Sequence, residues 1–127
     1  IKGYADILGV NYKNWKWHER LVIKDKYGEY YFCHNMSKDP VQSSMSIGYN
    51  FIQGHFHTDL KLGYWNSPEK LRWGMTIGCL IDKDSLAFAY SKINIRRPTL
   101  GCAIILNGIP QLVPMVLEKG GRWNGKI

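Results

Sequence analysis

The chain has 127 residues, with 17 Lys and Arg against 10 Asp and Glu, which gives a formal net charge of +7. Hydrophobic residues make up 45% of the chain and charged residues 21%, a balance that indicates one folded domain and excludes a disordered tail. Its apolar runs, such as residues 103–106, are far shorter than the roughly 20 residues that cross a bilayer, so a transmembrane protein is also excluded.

The cysteines indicate the redox compartment. Cys33, Cys79 and Cys102 form an odd set without a C-x-x-C spacing, so neither a disulfide framework nor a zinc ribbon is expected. The start of the sequence also shows no secretion signal. We therefore expect reduced thiols in a cytoplasmic protein.

The predicted elements are mostly strands. Residues 1–10 read as the end of a helix, with Gly9 as the stop signal. Residues 21–23 and 29–33 predict a hairpin around a turn at 25–28, and Pro40 predicts the start of a short helix within 37–46. Further strands are predicted over residues 49–53, 71–81, 86–91, 102–106 and 111–117, with a tight turn at Asn107-Gly108.

Polar and glycine residues fill positions 54–69, which are predicted to be a loop. Several of the strands read as continuous apolar runs, a pattern typical of strands buried on both faces. Few helices are available to cover such strands. We therefore expect another chain, or a part of the protein outside this sequence, to cover them.

Histidines follow two of the predicted strands. His34 follows the predicted strand over 29–33, and His55 and His57 follow the predicted strand over 49–53. Binding sites collect at such strand ends in α/β sheets. If the segment is extended, His55 and His57 lie on one side of it, about 6–7 Å apart, so each could reach a different ion of a metal pair. His18 reads as an ordinary exposed histidine.

These residues bring the chain close to a known family. Gly54-His55-Phe56-His57 resembles the G-H-x-H motif of calcineurin-like metallophosphoesterases, and His34 with its strand resembles that family's single metal-ligand histidine. Residues 73–80 are similar to the family's strand that ends in an N-P-G-S-like turn, and residues 78–115 are similar in character to phage-encoded members.

The resemblance implies a four-layer α/β/β/α sandwich, of which residues 1–127 would form the C-terminal half. It also implies two divalent cations, with His34 and His55 on one and His57 on the other. The nitrogens of His34 and His55 should then lie roughly 3–4 Å apart, given metal–nitrogen bonds near 2.1 Å. Imidazole ligands suit Mn, Fe, Zn, Ni or Co alike. Asn35 stands where many members have Gly, and it would contact the phosphate or support the ligands.

The sequence departs from the family in its other motifs. The D-x-H, G-D-x-x-D and G-N-H motifs of the family's N-terminal half, which supply a bridging carboxylate, an Asn ligand and the general-acid histidine, do not occur here. Because the sequence begins at Ile1, we expect a C-terminal portion of a longer protein, inactive without its N-terminal half. Catalytic residues therefore stay unassigned.

Three functions remain open. The first is a metal-dependent phosphoesterase, with phosphodiester or nucleic-acid substrates favoured because basic and aromatic residues are interleaved around Tyr12–Arg20. The second is a non-catalytic, basic, β-rich domain that binds nucleic acid or a partner protein. The third is a single zinc site of His34, His55 and His57 without turnover. A D-x-H and a G-N-H motif encoded upstream of Ile1 would favour the first.

Overall fold

A computed structural model of the chain describes residues 4–10, 12–81, 96–119, 121, 123 and 125. The described part contains two α-helices, one 3₁₀ turn over Tyr12–Asn14 and seven strands. The helices are α1 (Tyr4–Leu8) and α2 (Pro40–Ile47). The strands are β1 (Arg20–Asp25), β2 (Gly28–Cys33), β3 (Asn50–Gln53), β4 (Leu60–Asn66), β5 (Leu71–Ile77), β6 (Gly101–Leu106) and β7 (Ile109–Pro114). The chain is thus a strand-dominated mixed α/β fold, and this coarse prediction is confirmed.

Five strands form one mixed sheet in the order β1-β2-β3-β5-β4. The three inner strands, β2, β3 and β5, run parallel, whereas β1 and β4 pair antiparallel at the two edges. The pairing of β2 with β3 places Cys33 opposite Gln53, so both strands end at the same edge of the sheet. The loops that carry the candidate histidines therefore leave the sheet side by side.

Each face of this sheet carries a different layer. Helix α2 packs against β3, β4 and β5 on one face. The opposite face holds the core of Tyr30, Ile52, Trp73 and Met75, and the β6–β7 hairpin packs on it. The indole Nε1 of Trp73 donates a hydrogen bond to the carbonyl of Gly108 at 3.1 Å, which ties the hairpin turn to the sheet. The described residues thus form three layers: helix, sheet and hairpin.

Helix α2 begins where Pro40 predicted it. Asp39 caps the helix by accepting hydrogen bonds from the backbone N–H groups of Val41 and Gln42, at 2.9 and 3.2 Å. The helix ends at Gly48, which adopts a left-handed conformation with φ 72°. The first turn of the helix lies directly on the sheet, because Gly74 of β5 has no side chain to hold the Pro40 carbonyl away.

Three predicted segments, one loop and two strands, differ from the structure or lie outside its described part. The prediction of a loop over 54–69 is wrong, because residues 60–66 form β4. Gly63 weakens the strand pattern in the sequence. In the structure, its missing side chain lets the Val41 side chain approach the strand closely. The strand predicted over 71–81 ends at Ile77, because Gly78 turns the chain with a φ of 69°. The strand predicted over 86–91 lies outside the described residues.

Burial on both faces holds for β3 and for most of β5, is partial for β2, and fails at one edge of the sheet. All four residues of β3 are buried, as the apolar run predicted. In contrast, Leu21, Val22 and Ile23 of β1 are 40–45% exposed, so burial on both faces is wrong for this edge strand.

In the described part of the chain, no helix is long and apolar enough to span a membrane.

Candidate metal centre

Two histidine rings meet at the edge where β2 and β3 end. His34 follows β2 directly, and His55 lies two residues after β3. Nε2 of His34 and Nδ1 of His55 are 3.0 Å apart, the ring centroids are 4.9 Å apart, and the ring planes are inclined by 76°. Both side chains are exposed. The predicted approach of these nitrogens is therefore confirmed as geometry, while their role as metal ligands stays a prediction.

The backbone around His55 makes a tight turn. His55 has a φ of 63°, a left-handed conformation that costs a non-glycine residue about 1–2 kcal/mol. Short backbone hydrogen bonds close the turn, from Phe56 N to Gly54 O at 2.7 Å and from His57 N to His55 O at 2.9 Å. Strained residues of this kind persist where the surroundings hold them, and they cluster at functional sites. The turn directs the His55 ring towards His34.

The same turn overturns one expectation for His55 and His57. An extended segment would have placed both rings on one side, about 6–7 Å apart. That condition is not met, because the backbone is left-handed and not extended at His55. His57 is half-buried, and its carbonyl accepts a hydrogen bond from Thr99 N at 2.7 Å. Thr99 therefore holds the His57 loop, and His57 as the ligand of a second ion stays a prediction.

A buried glutamine positions the His34 loop. Oε1 of Gln53 accepts hydrogen bonds from the backbone N–H groups of Met36 and Ser37, at 3.1 and 3.4 Å. Its Nε2 donates to the carbonyl of Ser37 at 2.5 Å and to Oγ1 of Thr76 at 3.1 Å. Gln53 is 1% exposed, so these bonds are shielded from solvent. Sequence reasoning missed Gln53, although a polar residue inside an apolar strand was the available signal.

Substituting alanine for Gln53 is expected to lower the free energy of unfolding by about 2–3 kcal/mol, because several polar groups around it lose their partner. Urea denaturation of the variant measures this change. Gln42→Ala is the matched control, since Gln42 is exposed on α2, and it should change stability by no more than about 0.5 kcal/mol. Equal stabilities for the two variants would contradict the positioning role of Gln53.

Asp59 is a second residue that sequence reasoning missed. Its carboxylate is 8% exposed and binds the ammonium of Lys61 at 2.7 Å, with the guanidinium of Arg96 at 3.7 Å. The hydrogen bond from Lys61 holds the pKa of Asp59 below its usual range. Asp59 thus anchors the start of β4 next to the His57 loop, and its oxygens are engaged by cationic side chains. The alternation of Asp59 and Lys61 along one face of a strand was the available signal.

The nearby cysteines and Asn35 add little to the pair of histidines. Cys33 directly precedes His34 in the chain. Burial raises the pKa of the Cys33 thiol and likewise that of the Cys79 thiol. Protonated thiols are poor metal ligands. Asn35 is exposed beside His34. Within the described ranges, no three side chains of His, Cys, Asp or Glu are grouped to hold a metal ion.

The spacing of the two imidazoles fits two chemistries. Two nitrogens bound at a right angle to one ion, with bonds near 2.1 Å, lie about 3.0 Å apart, which is the separation of His34 Nε2 and His55 Nδ1. The same separation suits a hydrogen bond in which one ring donates its N–H to the other. The pair therefore fits either a shared divalent cation or a shared proton.

No protein-family model matches the chain, and no curated protein or solved structure is significantly similar to it.

Proposed function

We propose that the chain is part of a dinuclear metal-dependent phosphoesterase domain that hydrolyses phosphomonoesters or phosphodiesters. The observation that supports this most strongly is the 3.0 Å approach of His34 and His55 from the ends of neighbouring parallel strands. The arrangement agrees with the resemblance to calcineurin-like metallophosphoesterases, in which a single histidine and the G-H-x-H motif supply metal ligands.

In this proposal His34 and His55 hold one ion and His57 holds the other. Such ions lower the pKa of bound water and neutralise charge on the phosphoryl oxygens. The chain's own residues orient these ligands. The turn at His55 presents its ring to His34, and Gln53 fixes the loop that carries His34. Both paired rings lie at an exposed edge, where an ester has access.

Three imidazoles do not complete such a site. Neutral rings do not offset the repulsion between two divalent cations, so the proposal requires a bridging carboxylate in addition to them. Asp59 does not supply it, because it is bound to Lys61 and Arg96. In the proposal, the N-terminal half of the domain brings that carboxylate, the general acid and the remaining layer of a four-layer sandwich. Manganese, iron, zinc, nickel and cobalt all suit the imidazoles.

A second candidate is a basic domain that binds nucleic acid or a partner protein without catalysis. The exposed, stacked rings of Trp15 and Trp17 favour it, because stacked bases and protein partners both use such surfaces. In this case His34 and His55 share a proton rather than a cation.

Hydrolysis of bis(p-nitrophenyl) phosphate separates the two candidates. The assay uses the protein encoded by the longest reading frame that contains this sequence, with manganese or each of the other four metals. We expect metal-dependent hydrolysis that EDTA stops and that His57→Ala abolishes. Gln111→Ala is the control, since Gln111 is exposed on β7.

Two outcomes would contradict parts of this proposal. Hydrolysis at the wild-type rate in His57→Ala removes His57 from the site. If the wild-type protein hydrolyses neither this diester nor p-nitrophenyl phosphate with any of the five metals, the phosphoesterase proposal is wrong.

A further inference from the structure

A large cavity adjoins the histidine pair on the hairpin side of the sheet. It has a volume of about 980 Å³, and His34 forms part of its lining. Ligand pockets fall between about 300 and 1,000 Å³, so this one holds more than a bare phosphate. A compound with its phosphorus beside His34 would therefore extend its organic part into the cavity. Four apolar side chains of the sheet face the cavity: Leu21, Phe32, Ile52 and Ile77.

Aromatic and charged side chains lie at the rim of the cavity. Trp17 and Lys16 lie on it, and Trp15 stacks behind Trp17 with ring centroids 6.1 Å apart and planes inclined by 20°. Trp15 is 54% exposed and Trp17 44%. Large aromatic faces beside a cationic side chain bind bases by stacking and phosphates by charge. Glu19, also on the rim, disfavours a second phosphate there and leaves that end to a neutral base.

We propose that this cavity binds the nucleoside part of a phosphodiester substrate, with the base against Trp17 and the phosphate next to His34. This inference rests on the proposed phosphoesterase function and specifies its substrate class. A small alkyl phosphate would leave the cavity empty, and the apolar floor alone would also accept an acyl chain. Trp17 in the cavity lining, with Trp15 stacked on it, favours the base over the acyl chain.

Equilibrium dialysis in EDTA tests the cavity without the metals. The probes are thymidine 5′-monophosphate, ribose 5-phosphate and a short-chain phosphatidic acid. Because stacking on one aromatic ring contributes about 1–3 kcal/mol per base, the thymidine nucleotide should bind about tenfold more tightly than ribose 5-phosphate. Trp17→Ala should remove that difference. Trp123→Ala, which is 40% exposed and outside the cavity lining, should preserve it.

Hydrolysis of bis(p-nitrophenyl) phosphate by the same protein keeps this inference separate from the proposed function. If the diester is hydrolysed but the thymidine nucleotide binds no better than ribose 5-phosphate, the nucleotide inference alone is overturned. Tighter binding of phosphatidic acid than of the nucleotide also overturns it. If nucleotide binding depends on Trp17 but the protein hydrolyses no phosphoester, the cavity is a nucleotide site and the proposed phosphoesterase function is overturned.

Discussion

Replacement of His55 by alanine is expected to weaken binding of the first divalent cation by about 100-fold or more. Even the outer partners of metal ligands change affinity by about 10–100-fold, and His55 would be one of two imidazoles on that ion. Isothermal titration calorimetry of the complete protein with zinc or manganese measures the affinity. Metal-dependent hydrolysis should be lost in the same variant, because the ion would no longer be held in place.

Gln111→Ala is the control for this prediction, because Gln111 is exposed on β7 and lies outside the cavity that His34 lines. It should leave the metal affinity unchanged. If His34 and His55 share only a proton, His55→Ala would leave metal binding unchanged and would alter stability by about 1 kcal/mol, the worth of one hydrogen bond. That result would contradict the metal centre.

Gly74→Ala is expected to lower the free energy of unfolding by about 3 kcal/mol or more. A Cβ atom on Gly74 would collide with the backbone carbonyl of Pro40, in the first turn of α2. Neither β5 nor the start of α2 can yield without breaking sheet pairing or the Asp39 cap, so the helix must move away from the sheet. Thermal unfolding should show a Tm lower by roughly 10 °C or more.

Gly54→Ala is a matched glycine control for stability. The nearest atom to a Cβ there is the His34 carbonyl oxygen at 4.0 Å, which is ordinary contact. We expect a change below about 1 kcal/mol. A Gly74→Ala protein as stable as the wild type would show that α2 does not rest on the backbone of β5.

The approach of His34 and His55 was predictable because it depends on strand direction. Apolar runs before each histidine predicted two strands, and the carboxyl ends of parallel strands meet at one edge of a sheet. The family resemblance then predicted that these two histidines share an ion, which stays a prediction. The precise orientation of the rings was not predictable, because it depends on the left-handed conformation at His55, and a histidine is an unusual residue at such a φ.

Features that depend on contacts between distant segments were missed. Gly63 weakens the strand signal of β4, and only the approach of Val41 from α2 explains a glycine at that position. Gln53 and Asp59 act through loops and side chains that lie elsewhere in the sequence. A pattern of hydrophobic residues reports which segments are buried, but it does not report which buried polar group binds which loop.

Apolar composition also misjudged the edge strand. Residues 21–23 form a continuous apolar run, a pattern typical of a strand buried on both faces, yet β1 has a neighbour on one side only and is exposed on both faces. Periodicity describes a strand's own residues and carries no information on its place in the sheet.

Anomalous X-ray scattering from crystals of the complete protein grown with zinc tests the shared cation most directly. If the two rings share a cation, a peak is expected about 2.1 Å from both Nε2 of His34 and Nδ1 of His55. A well-ordered pair of rings, still 3.0 Å apart and with no anomalous peak between them at saturating zinc, would contradict the shared cation.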